Sequence, residues 1–234
     1  TVVVIDPMQN PDGRDRLIHS YESSEGLEPE SNRLAADHNQ PWPGGRTNHY
    51  LFDMNRDWFI QSQPETRGRT SAMLEFYPVA YVDAHEMGSD GTYFFAPEAV
   101  PYNPHLAQNQ RDSLQLFGRN NARYFDMFGF DYFTREVYDA FYPGYGASWP
   151  SYFGSIAMTY EQASSSGLVF RQYDGNELHY RDAVRNHFIT SLATAETVAT
   201  NREKFLTEFY DYRTSAIEEG ESEDVRVYIV PVQQ

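Results

Sequence analysis

Polar side chains that could do chemistry occur in four short clusters of this sequence. The clusters are NPDG at residues 10–13, DMNR at 53–56, DAHE at 83–86 and YE at 160–161. Each cluster ends or follows an apolar or β-branched run that is typical of a strand. In open α/β sheets, functional groups collect at the carboxyl ends of the strands. Taken singly, each cluster could be an ordinary turn, but their common position indicates a shared site.

An alternation of predicted strands and helices must position these clusters. Strands are expected at residues 2–6, 50–53, 79–84, 92–95 and 155–160, and helices at residues 64–77, 104–128 and 177–213. Residues 7–16 are expected to form a turn, and a polar loop rich in Pro and Gly follows at 23–46. Strands alternating with helices predict an α/β fold, a three-layer sandwich around a mixed, largely parallel central sheet.

The composition limits the class of protein and of partner. The 234 residues are enough for one sizeable domain with a substantial core. The net charge of -16, from 18 Lys and Arg against 34 Asp and Glu, disfavours nucleic acid and anionic membranes, which attract clustered cations. No apolar run approaches the roughly 20 residues that a membrane span needs. The absence of cysteine excludes disulfides, thiolate chemistry and cysteine-based zinc sites.

In their order along the chain, the clusters resemble those of the zinc carboxypeptidase family, of the carboxypeptidase A type. The resemblance rests on NPDG at 10–13, FDMNRDW at 52–58, QPE at 63–65, VDAHE at 82–86 and MTYEQ at 158–162. The run WPGGRTNHY at 42–50 and the HE pair at 85–86 resemble a bacterial exported branch of the family. The resemblance implies a zinc cofactor, hydrolysis of a C-terminal peptide bond, and a secreted or periplasmic location.

The resemblance assigns the metal chemistry to His85 and Glu161. A catalytic zinc has three protein ligands and an open position for water. In the family the third ligand is a histidine that ends a central strand, and His85 matches it. A carboxylate takes the proton of the activated water and delivers it to the leaving amine, a role that matches Glu161. A histidine and a glutamate that merely end their strands are the structural alternatives.

Recognition of the substrate's terminal carboxylate is assigned to Asn55 and Arg56. A guanidinium can form two parallel charge-assisted hydrogen bonds with a carboxylate, and such bonds fix the register of a bound peptide. Asp53 resembles the acid that orients a metal-binding histidine without binding the metal itself. The family usually has Asn after this Arg, whereas this chain has Asp57, which adds negative charge close to the expected carboxylate site.

The family uses a second arginine to stabilise the oxyanion of the tetrahedral intermediate. We interpret Arg46, which follows two glycines, as this second arginine. Arg14, Arg16 and Arg33 are competing candidates.

An aromatic loop before Glu161 is expected to close over the substrate. Tyr142 and Tyr145 both match the mobile tyrosine of the family, although packing in the core is an equal alternative for either. The segment GASWPS at 146–151 matches the part that lines the side-chain pocket. It contains no charged residue, which argues against selection of a strongly charged C-terminal side chain.

Two of the three zinc ligands are expected to lie outside this chain. In the family they come from a His-x-x-Glu motif before NPDG. His19 and Glu22 have that spacing but follow NPDG, so we expect them not to bind metal. We also expect a gap or rearrangement in the sheet where the preceding strand would lie. Residues 1–216 are interpreted as a partial catalytic domain, and 217–234 as an acidic linker that leads to a further β segment.

The sequence therefore predicts a zinc metallocarboxypeptidase acting on peptides or acyl-amino acids with a free carboxylate. One alternative is an amidase or deacylase on the same fold. Another is a non-catalytic module that binds a peptide carboxylate and has lost the metal.

Overall fold

The computed structural model describes residues 1–225 and 227–231. In these residues the α-helices are α1 (Pro11–Ser24), α2 (Pro64–Phe76), α3 (Gln108–Phe128), α4 (Tyr180–Thr200) and α5 (Arg202–Ser222). The strands are β1 (Ala80–Met87), β2 (Tyr93–Phe94), β3 (Ile156–Ala163), β4 (Val169–Arg171) and β5 (Glu177–His179). Short 3₁₀ turns occupy Ala36–His38, Met54–Arg56 and Trp149–Phe153.

The central sheet has three strands in the order β1-β3-β2. β1 and β3 run parallel in a register that pairs Ala80 with Ile156 and Met87 with Ala163. β2 is antiparallel to β3 and much shorter, and β4 and β5 form a separate antiparallel pair. In the part of the chain that the structure describes, β1 therefore lies at an edge of the sheet.

Alternate residues of β3 face opposite sides of the sheet, as the two-residue period of a strand requires. Ile156, Met158 and Tyr160 belong to the main hydrophobic core, which helices α3, α4 and α5 complete. The rings of Phe117 on α3 and Phe205 on α5 stack there with centroids 5.3 Å apart. This face of the sheet is the main apolar core of the domain.

The other face of the sheet carries the polar residues of the predicted site. Tyr81 of β1 packs there against a second cluster formed by Trp58, Met73 of α2 and Trp149. Helices therefore flank the sheet on both sides. The α/β fold with a mixed sheet is confirmed, and the parallel β1–β3 pair is its longest ladder.

Two predicted strands are wrong. Residues 2–6 form no strand, and Val2 and Ile5 are 87% and 76% exposed, because no described strand lies beside this β-branched run. Residues 50–53 are also irregular. Leu51 has a φ of 66°, and the side chain of Asn48 accepts hydrogen bonds from Tyr50 N and Phe52 N, which removes both donors from any ladder.

The expected turn at residues 7–16 is also wrong, since α1 begins within it. Asn10 caps the helix by accepting a hydrogen bond from Gly13 N at 3.0 Å, and Pro11 occupies the first turn. Both are strong signals for a helix start. The cluster at 10–13 therefore begins a helix and does not end a strand.

The long predicted helix at 177–213 is broken into three elements. β5 precedes α4, and Asn201, with φ -107° and ψ 22°, separates α4 from α5. α5 then continues to Ser222, through most of the segment expected to be an acidic linker. Residues 225 and 227–231 have no regular structure, and residues 226 and 232–234 of the expected C-terminal strand lie outside the described residues. The proposed domain division at 216 stays a prediction.

None of the helices in the described residues is both long enough and apolar enough to cross a bilayer.

Candidate active site

The parallel pair β1–β3 places His85 directly beside Glu161. The two residues are partners in the ladder, and neighbouring strands lie roughly 4.8 Å apart, so their side chains leave the same face of the sheet side by side. Glu161 is buried, and its side of the strand also carries Thr159. The predicted ligand and the predicted base thus occupy adjacent positions on the most regular part of the fold.

Asp83 holds the imidazole of His85 in place. His85 Nε2 lies 2.7 Å from Asp83 Oδ2 and 3.2 Å from Asn55 Nδ2. One nitrogen cannot both donate to a carboxylate and accept from an amide, and the shorter contact to a charged acceptor favours a proton on Nε2. The other ring nitrogen, Nδ1, has no hydrogen bond with any described residue. An imidazole oriented in this way by a carboxylate fits a metal ligand.

A second histidine supports His85 from the core side. His187 of α4 lies with Nε2 3.1 Å from His85 O and Nδ1 2.7 Å from Tyr93 Oη. Burial lowers the pKa of His187, so this imidazole is neutral near pH 7. No local pattern indicates this contact, because His187 follows His85 by 102 residues.

Burial and nearby charges together shift the pKa of both central residues. Burial raises the pKa of Glu161 to about 7; the charges of His85 and Arg46 oppose this shift, and that of Asp83 adds to it. Burial alone would lower the pKa of His85, but the hydrogen bond and charge of Asp83, with the charge of Glu161, raise it overall. A carboxylate with a pKa near 7 is suited to both accept and release a proton at neutral pH.

The cluster at 53–56 does not end a strand, because Met54–Arg56 forms a 3₁₀ turn that Asp53 caps. Asp53 accepts hydrogen bonds from Asn55 N at 2.9 Å and from Arg46 Nε and Nη2 at 3.1 and 3.0 Å. Asn55 Oδ1 accepts a hydrogen bond from Gly146 N at 2.8 Å. Asp53 thus contacts Arg46 and, in the described residues, no histidine; its predicted role in orienting one stays a prediction.

Arg56 lies between the turn and the aromatic loop. Its guanidinium carbon is 4.6 Å from the centre of the Tyr145 ring, and Nη1 donates to Asn55 O at 2.8 Å. Tyr142 Oη is 3.5 Å from Arg56 O, and the rings of Tyr142 and Tyr145 meet edge to face at 5.3 Å. The structure therefore brings together the four residues expected to bind the substrate, although the sequence indicated none of these contacts.

Gly146 allows the aromatic loop to approach the sheet this closely. A Cβ atom at this position would lie 2.4 Å from Asp83 Oδ2 and 2.9 Å from Trp58 Nε1. Only glycine fits here without displacing the carboxylate that orients His85.

Asp57, the negative charge that the sequence places next to Arg56, is bound by the two residues that precede α2. Its Oδ1 accepts from Ser62 N at 2.9 Å and from Ser62 Oγ at 2.6 Å, and its Oδ2 accepts from Gln63 N at 2.9 Å. Burial by itself raises the pKa of Asp57, but these hydrogen bonds outweigh it and lower the pKa. The buried carboxylate therefore holds the two residues before α2 in place, and Arg56 faces solvent.

Of the four candidate arginines, Arg46 is the one whose charge acts on both His85 and Glu161. Arg16 stabilises the loop that contains residues 44–48, donating hydrogen bonds to Gly44 O at 2.9 Å and to Asn48 O at 3.1 Å. Arg33 forms two hydrogen bonds with Asp90, and Arg14 is exposed beside Asp15. Arg46 itself forms an ion pair with Asp53. To stabilise the oxyanion, its guanidinium must leave Asp53 or bind both groups at once.

Asn48 is a residue of the site that sequence reasoning missed. It is fully buried, its Nδ2 donates to Gln63 Oε1 at 2.8 Å, and its Oδ1 accepts from two backbone amides of the loop. Asn48 therefore fixes the path of the chain between Arg46 and Asp53.

The described residues do not contain a complete set of metal ligands. Among the described residues no three His, Cys, Asp or Glu side chains are grouped so that they could hold a metal ion. His19 and Glu22 are exposed on α1. His85 fits one ligand, and the described residues do not supply the others.

Comparisons with known proteins identify the fold. No model of a protein family and no curated protein sequence matches the chain. Among the solved structures that match are three with a TM-score of 0.52 each: a metallo-carboxypeptidase from Burkholderia cenocepacia, a putative carboxypeptidase from Burkholderia mallei, and a metallo-carboxypeptidase from Pseudomonas aeruginosa. The chain has the metallocarboxypeptidase fold. The fold that the sequence resemblance implied is thereby confirmed.

The match covers most of this chain and about half of each neighbour. The metallocarboxypeptidase of B. cenocepacia is 14% identical, with 82% of this chain and 55% of the neighbour covered. The proteins from B. mallei and P. aeruginosa are each 16% identical, with 85% of this chain and 59% and 56% of theirs covered. At these identities the comparison establishes the fold; the activity requires a separate argument.

Proposed function

We propose that this chain provides part of the active site of a zinc-dependent metallocarboxypeptidase. The observation that carries the proposal is the pairing of His85 with Glu161 on adjacent parallel strands, in a chain with the metallocarboxypeptidase fold. A strand ladder holds these two groups at a fixed separation, which is the rigid support that a catalytic pair needs.

Glu161 is the proton carrier in this proposal. When bound, zinc supplies an activated water and polarises the carbonyl of the scissile bond. Glu161 takes a proton from the attacking water and passes it to the nitrogen of the leaving amino acid. Its pKa of about 7 supports both steps, because the group can bind and release a proton at neutral pH.

Arg56 positions the substrate through its terminal carboxylate. The guanidinium faces solvent, with Nη1 donating to Asn55 O and the Tyr145 ring beside it, so the N–H groups of Nε and Nη2 are available for a carboxylate. The P. aeruginosa neighbour was solved in complex with (2-guanidinoethylmercapto)succinic acid, which supports a carboxylate-bearing ligand in this fold. Tyr142 and Tyr145 would close over the bound residue, and Arg46 would stabilise the oxyanion.

His85 is the proposed zinc ligand of this chain, through Nδ1. The remaining ligands would come from protein that is not part of the 234 residues, a proposal consistent with the match to only 55–59% of each neighbour. A secreted or periplasmic location and a peptide substrate are part of the same proposal.

A second candidate function is a non-catalytic module that binds a peptide carboxylate. It is favoured by one observation, that the described residues offer no group of three metal ligands. Arg56, Asn55 and the two tyrosines would serve this function equally well, since none of them requires the metal.

The deciding experiment measures zinc and peptidase activity on the same samples. The 234-residue chain and a version extended with its natural flanking sequence are compared for zinc by elemental analysis, and for hydrolysis of free-acid peptides, their C-terminal amides and N-acyl amino acids. We expect stoichiometric zinc and hydrolysis of free-acid peptides in the extended protein alone.

Each other outcome has a distinct meaning. An extended protein without zinc or turnover, which still binds free-acid peptides, would establish the binding module. Preference for N-acyl amino acids over peptides would indicate the amidase or deacylase. Stoichiometric zinc and turnover in the 234-residue chain would contradict the ligand assignment and return attention to His19 and Glu22.

A further inference from the structure

Helix α4 connects the two strands that flank the strand of Glu161. Its His187 lies with Nε2 3.1 Å from His85 O of β1 and with Nδ1 2.7 Å from Tyr93 Oη of β2. Because β3 runs between β1 and β2, this imidazole links the two neighbours of β3 across its core face. We call His187 and Tyr93 the cross-strand tie.

The hydrogen bonds of the cross-strand tie have a defined direction. A carbonyl oxygen only accepts, so Nε2 of His187 carries a proton and donates it to His85 O. Burial lowers the pKa of His187 and keeps the imidazole neutral near pH 7, so Nδ1 is an acceptor. Burial raises the pKa of Tyr93, whose hydroxyl keeps its proton and donates it to Nδ1. A single tautomer of His187 therefore satisfies both contacts.

The cross-strand tie lies at the level of the candidate catalytic pair. His85 pairs with Glu161 in the β1–β3 ladder. Phe94, the residue after Tyr93, pairs with Glu161 on the other edge of β3. The tie therefore joins the strands on both sides of Glu161 at the position of Glu161 in the sheet.

The sheet by itself gives these positions limited support. In the described residues β1 has a neighbouring strand on one side only, and β2 has two residues. Beyond β2 a side chain continues the ladder, since Glu98, which is 1% exposed, accepts a hydrogen bond from Thr159 N of β3 at 3.2 Å. Segments with few stabilising contacts open locally more readily than the rest of a fold. A contact from the helix layer to the main chain of His85 therefore adds support that the ladder lacks.

The chemistry that histidine adds at position 187 is confined to its two hydrogen bonds. A leucine there would fill a similar volume, and Tyr93 Oη would keep Thr190 Oγ1, 2.8 Å away, as a partner. Only the link from β2 to His85 O would be lost. Substitution at this position can therefore separate the hydrogen bonds from the packing.

We propose that His187, oriented by Tyr93, is a positioning residue that fixes the separation of His85 and Glu161. The inference rests on the proposed function, because a metal ligand and a proton carrier are groups whose separation must be held closely. His187 acts through the main chain of His85 and not on the substrate. Groups that orient metal ligands typically contribute about 10–100-fold to metal affinity or activity.

The test uses two disruptive variants, one conservative variant and one control. His187→Leu removes the donor to His85 O, and Tyr93→Phe removes the hydroxyl that fixes the tautomer of His187. His187→Gln restores a side-chain N–H at a similar distance from the backbone. Tyr160→Phe is the matched control, because it removes a buried hydroxyl that is hydrogen-bonded to other residues of α3 and α4.

Nuclear magnetic resonance of the 234-residue chain tests the tie without zinc. We expect wild-type His187 to carry its proton on Nε2. The carbonyl carbon resonance of His85 should shift in His187→Leu and return towards its wild-type position in His187→Gln. A wild-type His187 protonated on Nδ1, or a His85 carbonyl that does not shift in His187→Leu, overturns the inference.

Zinc affinity and steady-state kinetics of the extended protein test the positioning. We expect His187→Leu to bind zinc about 10–100-fold more weakly and, when saturated with zinc, to have a lower kcat at an unchanged KM for a free-acid peptide. KM is unchanged because Arg56 is not affected. His187→Gln should recover most of both losses, Tyr93→Phe should show a smaller loss of the same kind, and Tyr160→Phe should match the wild type.

The failures are distinguishable. A wild-type extended protein without zinc or turnover contradicts the proposed function and the inference with it. A wild type with zinc and turnover, both of which His187→Leu retains, overturns the role of His187 alone. Equal losses in His187→Leu and His187→Gln also overturn it, because they assign the effect to packing of the ring. If His187→Leu does not fold, Tyr93→Phe is compared with Tyr160→Phe, and equal values overturn the inference.

Discussion

The two halves of the candidate site are built in different ways. His85 and Glu161 stand on paired strands, are largely buried, and have their separation set by a ladder of backbone hydrogen bonds. Arg46, Arg56 and Tyr142 lie on turns and loops, are more exposed, and are held by contacts between side chains or from side chains to backbone. The first group is proposed to perform proton and metal chemistry, and the second to bind the substrate.

This difference corresponds to the demands on each half. Proton transfer tolerates little displacement, so its groups benefit from the rigid strands. Recognition requires that a substrate enter and leave, and loops supply that mobility at the cost of a less fixed geometry. Changes in the strand half should therefore affect chemistry, whereas changes in the loop half should affect the affinity and choice of substrate.

The largest effect is expected for Glu161→Gln in the extended, zinc-loaded protein. Loss of the proton carrier should lower kcat by about 10²–10⁴-fold while zinc content and fold are retained. Steady-state kinetics with zinc analysis are the measurement, and Glu177→Gln, on an exposed strand, is the control. Near-normal turnover would remove Glu161 from the mechanism and abolish the contrast between the two halves.

The next effect concerns stability and the burial of the strand half. The pKa of Glu98 is about 7 in the folded chain and about 4.5 in the unfolded chain. Between these two pH values the folded chain therefore keeps the proton that the unfolded chain has released. A raised carboxyl pKa means that the stability which the proton provides is lost as the pH rises through this window. Between pH 5 and pH 8 the wild type should lose about 2–3 kcal/mol of unfolding free energy relative to Glu98→Gln.

Urea unfolding of both proteins at the two pH values gives this difference directly. Shifts from other groups, including Glu161, are common to both proteins and cancel. A difference that does not change with pH would mean that Glu98 is ionised throughout, and so is not buried as the structure indicates.

A smaller effect is expected for Arg56→Ala in the loop half. Hydrogen bonds to a charged group are worth about 1.5–3 kcal/mol, so kcat/KM for free-acid peptides should fall by about 10–100-fold. Hydrolysis of the corresponding C-terminal amides should hardly change. Arg119→Ala, on the exposed side of α3, serves as the control. Equal losses on acids and amides would make Arg56 a structural residue.

The smallest effect is expected for Tyr145→Ala. A cation–π contact at an exposed site is worth about 0.5–1 kcal/mol, so removal of the ring should weaken the binding of a free-acid peptide by about 2–5-fold. Tyr145→Phe keeps the ring and should bind as the wild type does. If Phe is as weak as Ala, the hydroxyl group and not the ring is what the ligand needs.

The sequence predicted the strand half better than the loop half, for a physical reason. Apolar residues at every second position of 155–160 indicate a strand and place Glu161 opposite the core, so the strand and the direction of its acid follow from local pattern. The same period puts Asp83 on the face of His85, a contact that could have been inferred from their spacing of two.

The conformations of the loops depend on contacts with residues distant in the sequence, so they could not be predicted from a local pattern. The path of residues 46–53 depends on Asn48 meeting Gln63, and the place of Asn55 on a hydrogen bond from Gly146, 91 residues later. The failure at residues 2–6 has the same cause, because β-branched residues favour a strand only where another strand is available to pair with. The break between α4 and α5 at Asn201 likewise depends on the packing of the two helices, which the periodicity of the sequence does not indicate.

The position of β1 at the edge of the sheet has a consequence for handling the isolated chain. On the side of β1 away from β3 the described residues place no other strand, so this eight-residue strand offers a row of backbone donors and acceptors to any extended peptide, including one from another molecule. Amide hydrogens on that side should exchange with solvent faster than those that face β3. Samples of the 234-residue chain are therefore expected to associate increasingly with concentration, and the pairing of an added strand with β1 should suppress both the exchange and the association.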